Sequence, residues 1–162
     1  MDTIDAATPP HITRVIIRRN LRALINQFAQ YELCFGNSFH INPEGSNIKS
    51  TGFTIQGVSD TVYITDIPNK NSDGTLDGSG KGILAIVKAS DGISSNLVVA
   101  SSGIVDYVHG EIILSTVNIT STVKTNNIIE IQAFPDSNDV VGLKDLYLSF
   151  AVGDSAINMV KD

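Results

Sequence analysis

Pro10-His-Ile-Thr-Arg-Val-Ile-Ile-Arg-Arg-Asn-Leu-Arg-Ala-Leu-Ile-Asn-Gln-Phe-Ala-Gln-Tyr31 is the stretch on which the fold turns. Ile17, Leu21, Leu24, Phe28 and Tyr31 fall at i, i+4, i+7, i+11 and i+14, the spacing of one face of an α-helix. Thr8-Pro9-Pro10 precedes them as a helix start, a capping residue followed by prolines that tolerate the first turn. Arg14, Arg18 and Arg22 form an i, i+4, i+8 row beside the apolar face, and Ile12, Ile16 and Ala23 lie off it. The spacing therefore predicts an amphipathic helix over 10–31 that touches two bodies, its own domain and a partner.

Beyond Gly36 the pattern changes. Glycine, serine and asparagine punctuate short runs rich in Ile, Val and Thr, the composition of strands. Strands are expected at 38–41, 52–58, 61–67, 82–89, 97–101, 104–107, 111–114, 117–119, 128–133 and 146–151. The run 104–114 reads as a hairpin with glycine at its turn. Residues 69–82 read as a polar, glycine-rich loop, either mobile or a contact loop. The expected fold class is α+β and mainly β, an N-terminal amphipathic helix followed by short antiparallel strands, as a sheet on a helix or a small sandwich. The expected division is an N-terminal segment over 1–36, a β-rich domain over 37–153 and a C-terminal tail over 154–162.

Composition narrows the function classes. The 162 residues are 42% hydrophobic and 17% charged, which excludes a disordered tail. No apolar run approaches the ~18 residues that a membrane helix needs. Met1–Pro10 holds two acids and no long apolar stretch, so it does not read as a secretory signal. Net charge is −6, against a broad phosphate-binding surface. The charge is uneven: four arginines against two aspartates leave residues 1–30 at +2, and seven lysines against fifteen acids leave the rest at −8.

The motifs that carry chemistry are incomplete. Asn69-Lys70-Asn71-Ser72-Asp73-Gly74 resembles the start of a calcium loop, but its twelfth position is Gly80 where a bidentate Glu is required. Gly78-Ser79-Gly80-Lys81-Gly82 lacks both the earlier glycine, at Thr75, and the Ser or Thr after lysine that define a phosphate loop. Cys34 is the only cysteine; it excludes an internal disulfide, and beside Leu33 and Phe35 it reads as a small core hydrophobe rather than a nucleophile for His40. His11, His40 and His109 show no metal-ligand spacing. Ser94 and Ser95 lack a nucleophile elbow, and Asp136, Asp139 and Asp145 follow Pro135 in a solvated loop. No catalytic, cofactor-binding or metal residue is expected. The expected site is a partner interface of Ile12, Arg14, Ile16, Arg18 and Arg22, since arginine is enriched at interfaces. The alternative is a small β-rich ligand- or calcium-binding module using the 69–82 loop.

Three segments together carry a family resemblance. Ser102-Gly-Ile-Val-Asp-Tyr107 with His109-Gly-Glu-Ile-Ile-Leu114 follows the pattern G-x-hydrophobic-D/N-Y-x-x-G-x-hydrophobic-x-L. Ile129-Glu-Ile-Gln-Ala-Phe-Pro-Asp-Ser-Asn-Asp-Val140 is a strand ending in proline and then S-N-D, and Glu44-Gly-Ser-Asn-Ile-Lys-Ser-Thr-Gly-Phe53 is the third segment. In this order they resemble the C-terminal part of the baseplate wedge protein that forms the inner ring in T-even-like contractile-tailed bacteriophages. The resemblance spans roughly Ile12 to Phe150. It implies a structural virion protein of the tail baseplate, made in the host cytoplasm, with no enzymatic activity and no cofactor. It also implies contacts with other wedge and hub-proximal tail proteins in a homo- or hetero-oligomeric ring, with neither nucleic acid nor membrane as partner.

Overall fold

The structure, a computed structural model, describes residues 14–88, 97–137, 146–152 and 155–161, with side chains over 15–88 and 97–137. It is nearly all β. Among the described residues twelve strands follow in order: β1 (Arg14–Arg22), β2 (Phe28–Cys34), β3 (Lys49–Ser50), β4 (Phe53–Ile55), β5 (Val58–Pro68), β6 (Lys81–Val87), β7 (Leu97–Val99), β8 (Gly103–Asp106), β9 (Glu111–Thr122), β10 (Ile128–Ala133), β11 (Leu146–Val152) and β12 (Ser155–Lys161). The only helical turn among the described residues is a 3-10 turn at Thr125–Asn127.

The amphipathic helix expected over 10–31 is not there. Its described part is two strands, β1 and β2, divided by a turn in which Asn26 has φ 61°. The reason lies in the spacing. A separation of four residues is close to one helical turn and is also an even number, so it keeps side chains on one side of a strand as well. Ile17 with Leu21, and Arg14 with Arg18 and Arg22, satisfy both periods. The odd steps to Leu24 and Phe28 separate them, and those two side chains are 48% and 68% exposed. The run Arg14-Val15-Ile16-Ile17-Arg18 is moreover β-branched at its centre, which favours an extended chain. Asn26 supplies the left-handed residue at which the chain reverses.

Two sheets result, antiparallel throughout. One has the order β12-β11-β1-β10-β3. In the other, β9 pairs β4, β4 pairs β5, β5 pairs β6, β6 pairs β8, and β8 returns to β9, closing a small barrel. β2 joins it along β9, and β7 along β6. The twelve-residue β9 makes closure possible: Glu111–Leu114 pair β8, and residues 119–122 pair β4. Register shifts in the β4–β5 and β4–β9 pairings mark irregularities of the kind that bend strands.

Several expected strands are where the sequence puts them, β10 to the residue. Residues 111–114 and 117–119 are parts of one strand, β9. Residues 38–41 form only an isolated bridge, Phe39 to Pro135. β12 lies in the stretch read as a tail. A single apolar cluster joins the sheet to the barrel: Ile17, Leu21, Ile129 and Ile131 share it with Val62, Ile64, Leu84 and Ile112. β10 shows why, with Ile129, Ile131 and Ala133 buried in strict alternation with half-buried neighbours.

Candidate functional site

The expected interface residues map onto β1, and their even numbering now has a geometric meaning. Val15, Ile17 and Leu21 are buried on one side, whereas Arg18, Asn20 and Arg22 take the other parity and are half-buried or exposed. Arg14 holds a register position of that second parity, opposite Ala151 of β11. Ile16 has the same parity but is only 8% exposed. Ile12 lies outside the described residues. Across the sheet, Arg18 pairs in register with Gln132 and Gln132 with Lys49, while Asn20 pairs with Glu130. The Arg18 Nε hydrogen-bonds Gln132 Oε1 at 3.4 Å and lies 3.9 Å from Glu130. Lys124 reaches the second Glu130 oxygen, also at 3.9 Å. The outer side of the β1–β10–β3 region therefore gathers cations from three separate segments, two of them at one carboxylate.

Arg19 departs from its neighbours. It lies on the core-side parity, and its guanidinium donates to the Cys34 carbonyl at the end of β2, tying β1 to the barrel's appended strand. Cys34 itself is exposed, not in the core. β2 alternates strictly between exposed and half-buried residues, and Cys34 shares the outward side with Phe28, Gln30 and Glu32. His109 is in the hairpin turn, where its Nδ1 meets Asp106 Oδ2 at 2.8 Å and its backbone N–H donates to Asp106 Oδ1 at 3.0 Å. Burial pushes the Asp106 carboxyl up; those two hydrogen bonds, with the charges of His109 and Lys81, outweigh it and hold the group below its ordinary value.

The 69–82 loop is organised by its own side chains. Asp73 Oδ1 accepts from the Thr75 hydroxyl at 2.6 Å and its N–H at 3.0 Å, and Asp77 Oδ1 accepts from the Ser79 hydroxyl at 2.7 Å and its N–H at 2.9 Å. These bonds lower both carboxyl pKa values. The carboxylates thus serve successive Asx-type turns and do not converge. Among the described residues no three His, Cys, Asp or Glu side chains form a metal-binding group. Asp136 is exposed and its N–H donates to the Ser38 carbonyl at 2.8 Å. Ser94, Ser95, Asp139, Asp145 and His11 lie outside the described residues.

A buried, perturbed carboxylate was missed by sequence reasoning. Asp66, on β5, has no exposed surface. Its Oδ2 accepts from the Tyr107 hydroxyl at 2.6 Å and its Oδ1 from the Ile48 N–H at 2.7 Å. Burial pushes its pKa up, and the hydrogen bonds from Ile48 and Tyr107 offset only part of that push. Tyr107, 1% exposed, is raised in turn by its own burial and by the neighbouring carboxylate. Asn47, 3% exposed, extends the junction: its Nδ2 donates to the His40 carbonyl at 2.5 Å and the Phe134 carbonyl at 3.3 Å. In sequence, Asp66 sits between Thr65 and Ile67 like any solvent-side residue of a strand. The available signal was parity, since Val62, Ile64 and Asp66 alternate onto the same side.

The three segments singled out in the sequence meet here. Tyr107 comes from the first, Phe134 from the second, and Asn47 with Ile48 from the third. The two glycines of the hairpin pattern are at close approaches: a side chain at Gly103 (φ 151°) would meet the Ile113 carbonyl at 2.1 Å, and one at Gly110 (φ 66°) would meet the Asn37 carbonyl at 2.0 Å. No protein-family model, curated protein or solved structure matches the chain.

Proposed function

We propose that the chain is a structural virion protein, a component of a contractile-tail baseplate wedge that links its neighbours by protein–protein contacts and performs no chemistry. The observation that carries the reading is the convergence of the three resembling segments on the Asp66 junction. The pattern's Asp, Tyr and both glycines each serve the turn, a buried bond or a close backbone approach. A motif of this kind describes a folding unit rather than a reaction centre. The titratable groups agree with it: Asp66 and Tyr107 are engaged with each other and closed off from solvent, and Asp73 and Asp77 are engaged within their own loop. The half-buried and exposed cations on the β1–β10–β3 outer side supply a contact surface of the kind that an assembly subunit needs.

Antibody labelling of purified tailed-phage particles that encode this chain tests the reading. Label at the baseplate end of the tail is expected. Particles that lack the chain while it accumulates in the soluble fraction of infected cells overturn it.

A further inference from the structure

The outer wall of the barrel carries a second surface. Register pairs Ile67 with Ile83, Ile83 with Ile104, Ile104 with Ile113, and Ile113 with Glu32, so one row crosses five strands from β5 to β2. Directly opposed residues of antiparallel strands project to the same side. Four isoleucines therefore stand in line on the outside of the barrel, Ile104 being 52% exposed and the other three half-buried. At ~4.8 Å per strand the row is about 19 Å long. The next row runs Lys81, Asp106, Glu111, Cys34. The apolar row is thus rimmed by three carboxylates, Glu32, Asp106 and Glu111, against a single lysine.

The outer side of the β1–β10–β3 region has the opposite sign. Arg18 and Lys124 flank Glu130, Lys49 stands opposite Gln132, and Arg22 stands opposite the half-buried Ile128. Their long aliphatic stems can cover an apolar row while the charged heads reach its acidic rim. We propose that the chain associates with itself head to tail, the acid-rimmed isoleucine row of one copy docking on the basic outer side of β1, β10 and β3 in the next. Charge complementarity selects this occupant. A nucleic acid would bring phosphates against Glu130 on one side and against three carboxylates on the other. Two different patches on one subunit make a heterologous contact, which generates rings or open filaments rather than closed two-fold dimers. The inference deepens the assembly reading and rests on it only in treating these surfaces as contacts. The particle test and the solution test below fail independently.

The experiment is sedimentation velocity of the full chain over a concentration series at low and high salt. Mass is expected to grow with concentration and to grow less at high salt, because the contact is charged at its rim. The double variants Glu32→Lys/Glu111→Lys and Arg22→Glu/Lys124→Glu change exposed residues and are expected to melt like the parent. Each alone is expected to associate about tenfold more weakly or not at all, and an equimolar mixture of the two to regain association. Ile104→Ser is expected to weaken it without changing its salt dependence. A parent chain that stays monomeric at every concentration overturns the proposal. So do charge-reversed variants that associate like the parent, a mixture that stays monomeric, or a monomeric parent that shifts an oligonucleotide.

Discussion

The barrel and the five-stranded sheet are built from the same antiparallel pairing but treat polar groups in opposite ways. The barrel closes on itself through β9, and closure makes a carboxylate captive: Asp66 is walled in and held by the Tyr107 hydroxyl and the Ile48 N–H. The sheet stays open, and its polar side is served by solvent and by contacts such as Arg18–Glu130 and Lys124–Glu130, both at 3.9 Å. A partly exposed pair at that distance contributes little to stability. Similar polar residues on similar strands thus carry very different energetic weight. The weight depends on whether water can replace the partner.

Substitutions can break that contrast, and the largest effect belongs to the closure. Gly103→Ala places a methyl group on the Ile113 carbonyl and is expected to cost about 4 kcal/mol or more, read as loss of the cooperative melt. A stable Gly103→Ala protein would mean that β8 and β9 do not meet as closely as the register requires. Leu21→Ala, in the core shared by barrel and sheet, is expected to cost about 3 kcal/mol by urea denaturation. Tyr107→Phe leaves Asp66 Oδ2 without its donor and is expected to cost about 2 kcal/mol.

Asp66 also gives the barrel a pH signature. Its carboxyl is raised above 3.8 in the folded chain, so folding favours the protonated form. That contribution is complete below the unfolded value and is lost as pH rises through the raised folded value. Asp66→Asn is expected to remove this slope, so that variant and parent curves converge or diverge only across that window in denaturation at a series of pH values. Parallel curves would detach the titration from the barrel interior. The smallest effects belong to the open surface: Leu24→Ser and Arg22→Ala are each expected to change stability by no more than about 0.5 kcal/mol. A large loss from Leu24→Ser would restore a buried helical face and break the reading of β1 and β2.

Legibility followed the same division. β10 alternates so regularly that its bounds could be read directly, and the 104–114 hairpin announced itself through Gly110. β1 and β2 were misread because residues four apart satisfy a helix and a strand alike. Asn26 was the local signal that the chain turns there. The arginine row was visible as a row, but its companions Lys49 and Lys124 lie some thirty and a hundred positions away in sequence and enter only through strand pairing. Cys34 was assigned to the core by residue type; strand parity turned it outward.

By itself, the sequence determined that this is a β-rich chain with one segregated group of arginines, incomplete catalytic and metal motifs, and a tight hairpin around Tyr107. These are local properties, set by residue type and near-neighbour spacing. Only the tertiary structure decided that the N-terminal run is two strands, that β9 closes a barrel, that Asp66 is captive, and that isoleucines from four strands form one outward row. Each depends on which strands pair and in what register. That choice is made by burying one apolar cluster common to the barrel and the sheet, a condition no single stretch of sequence contains.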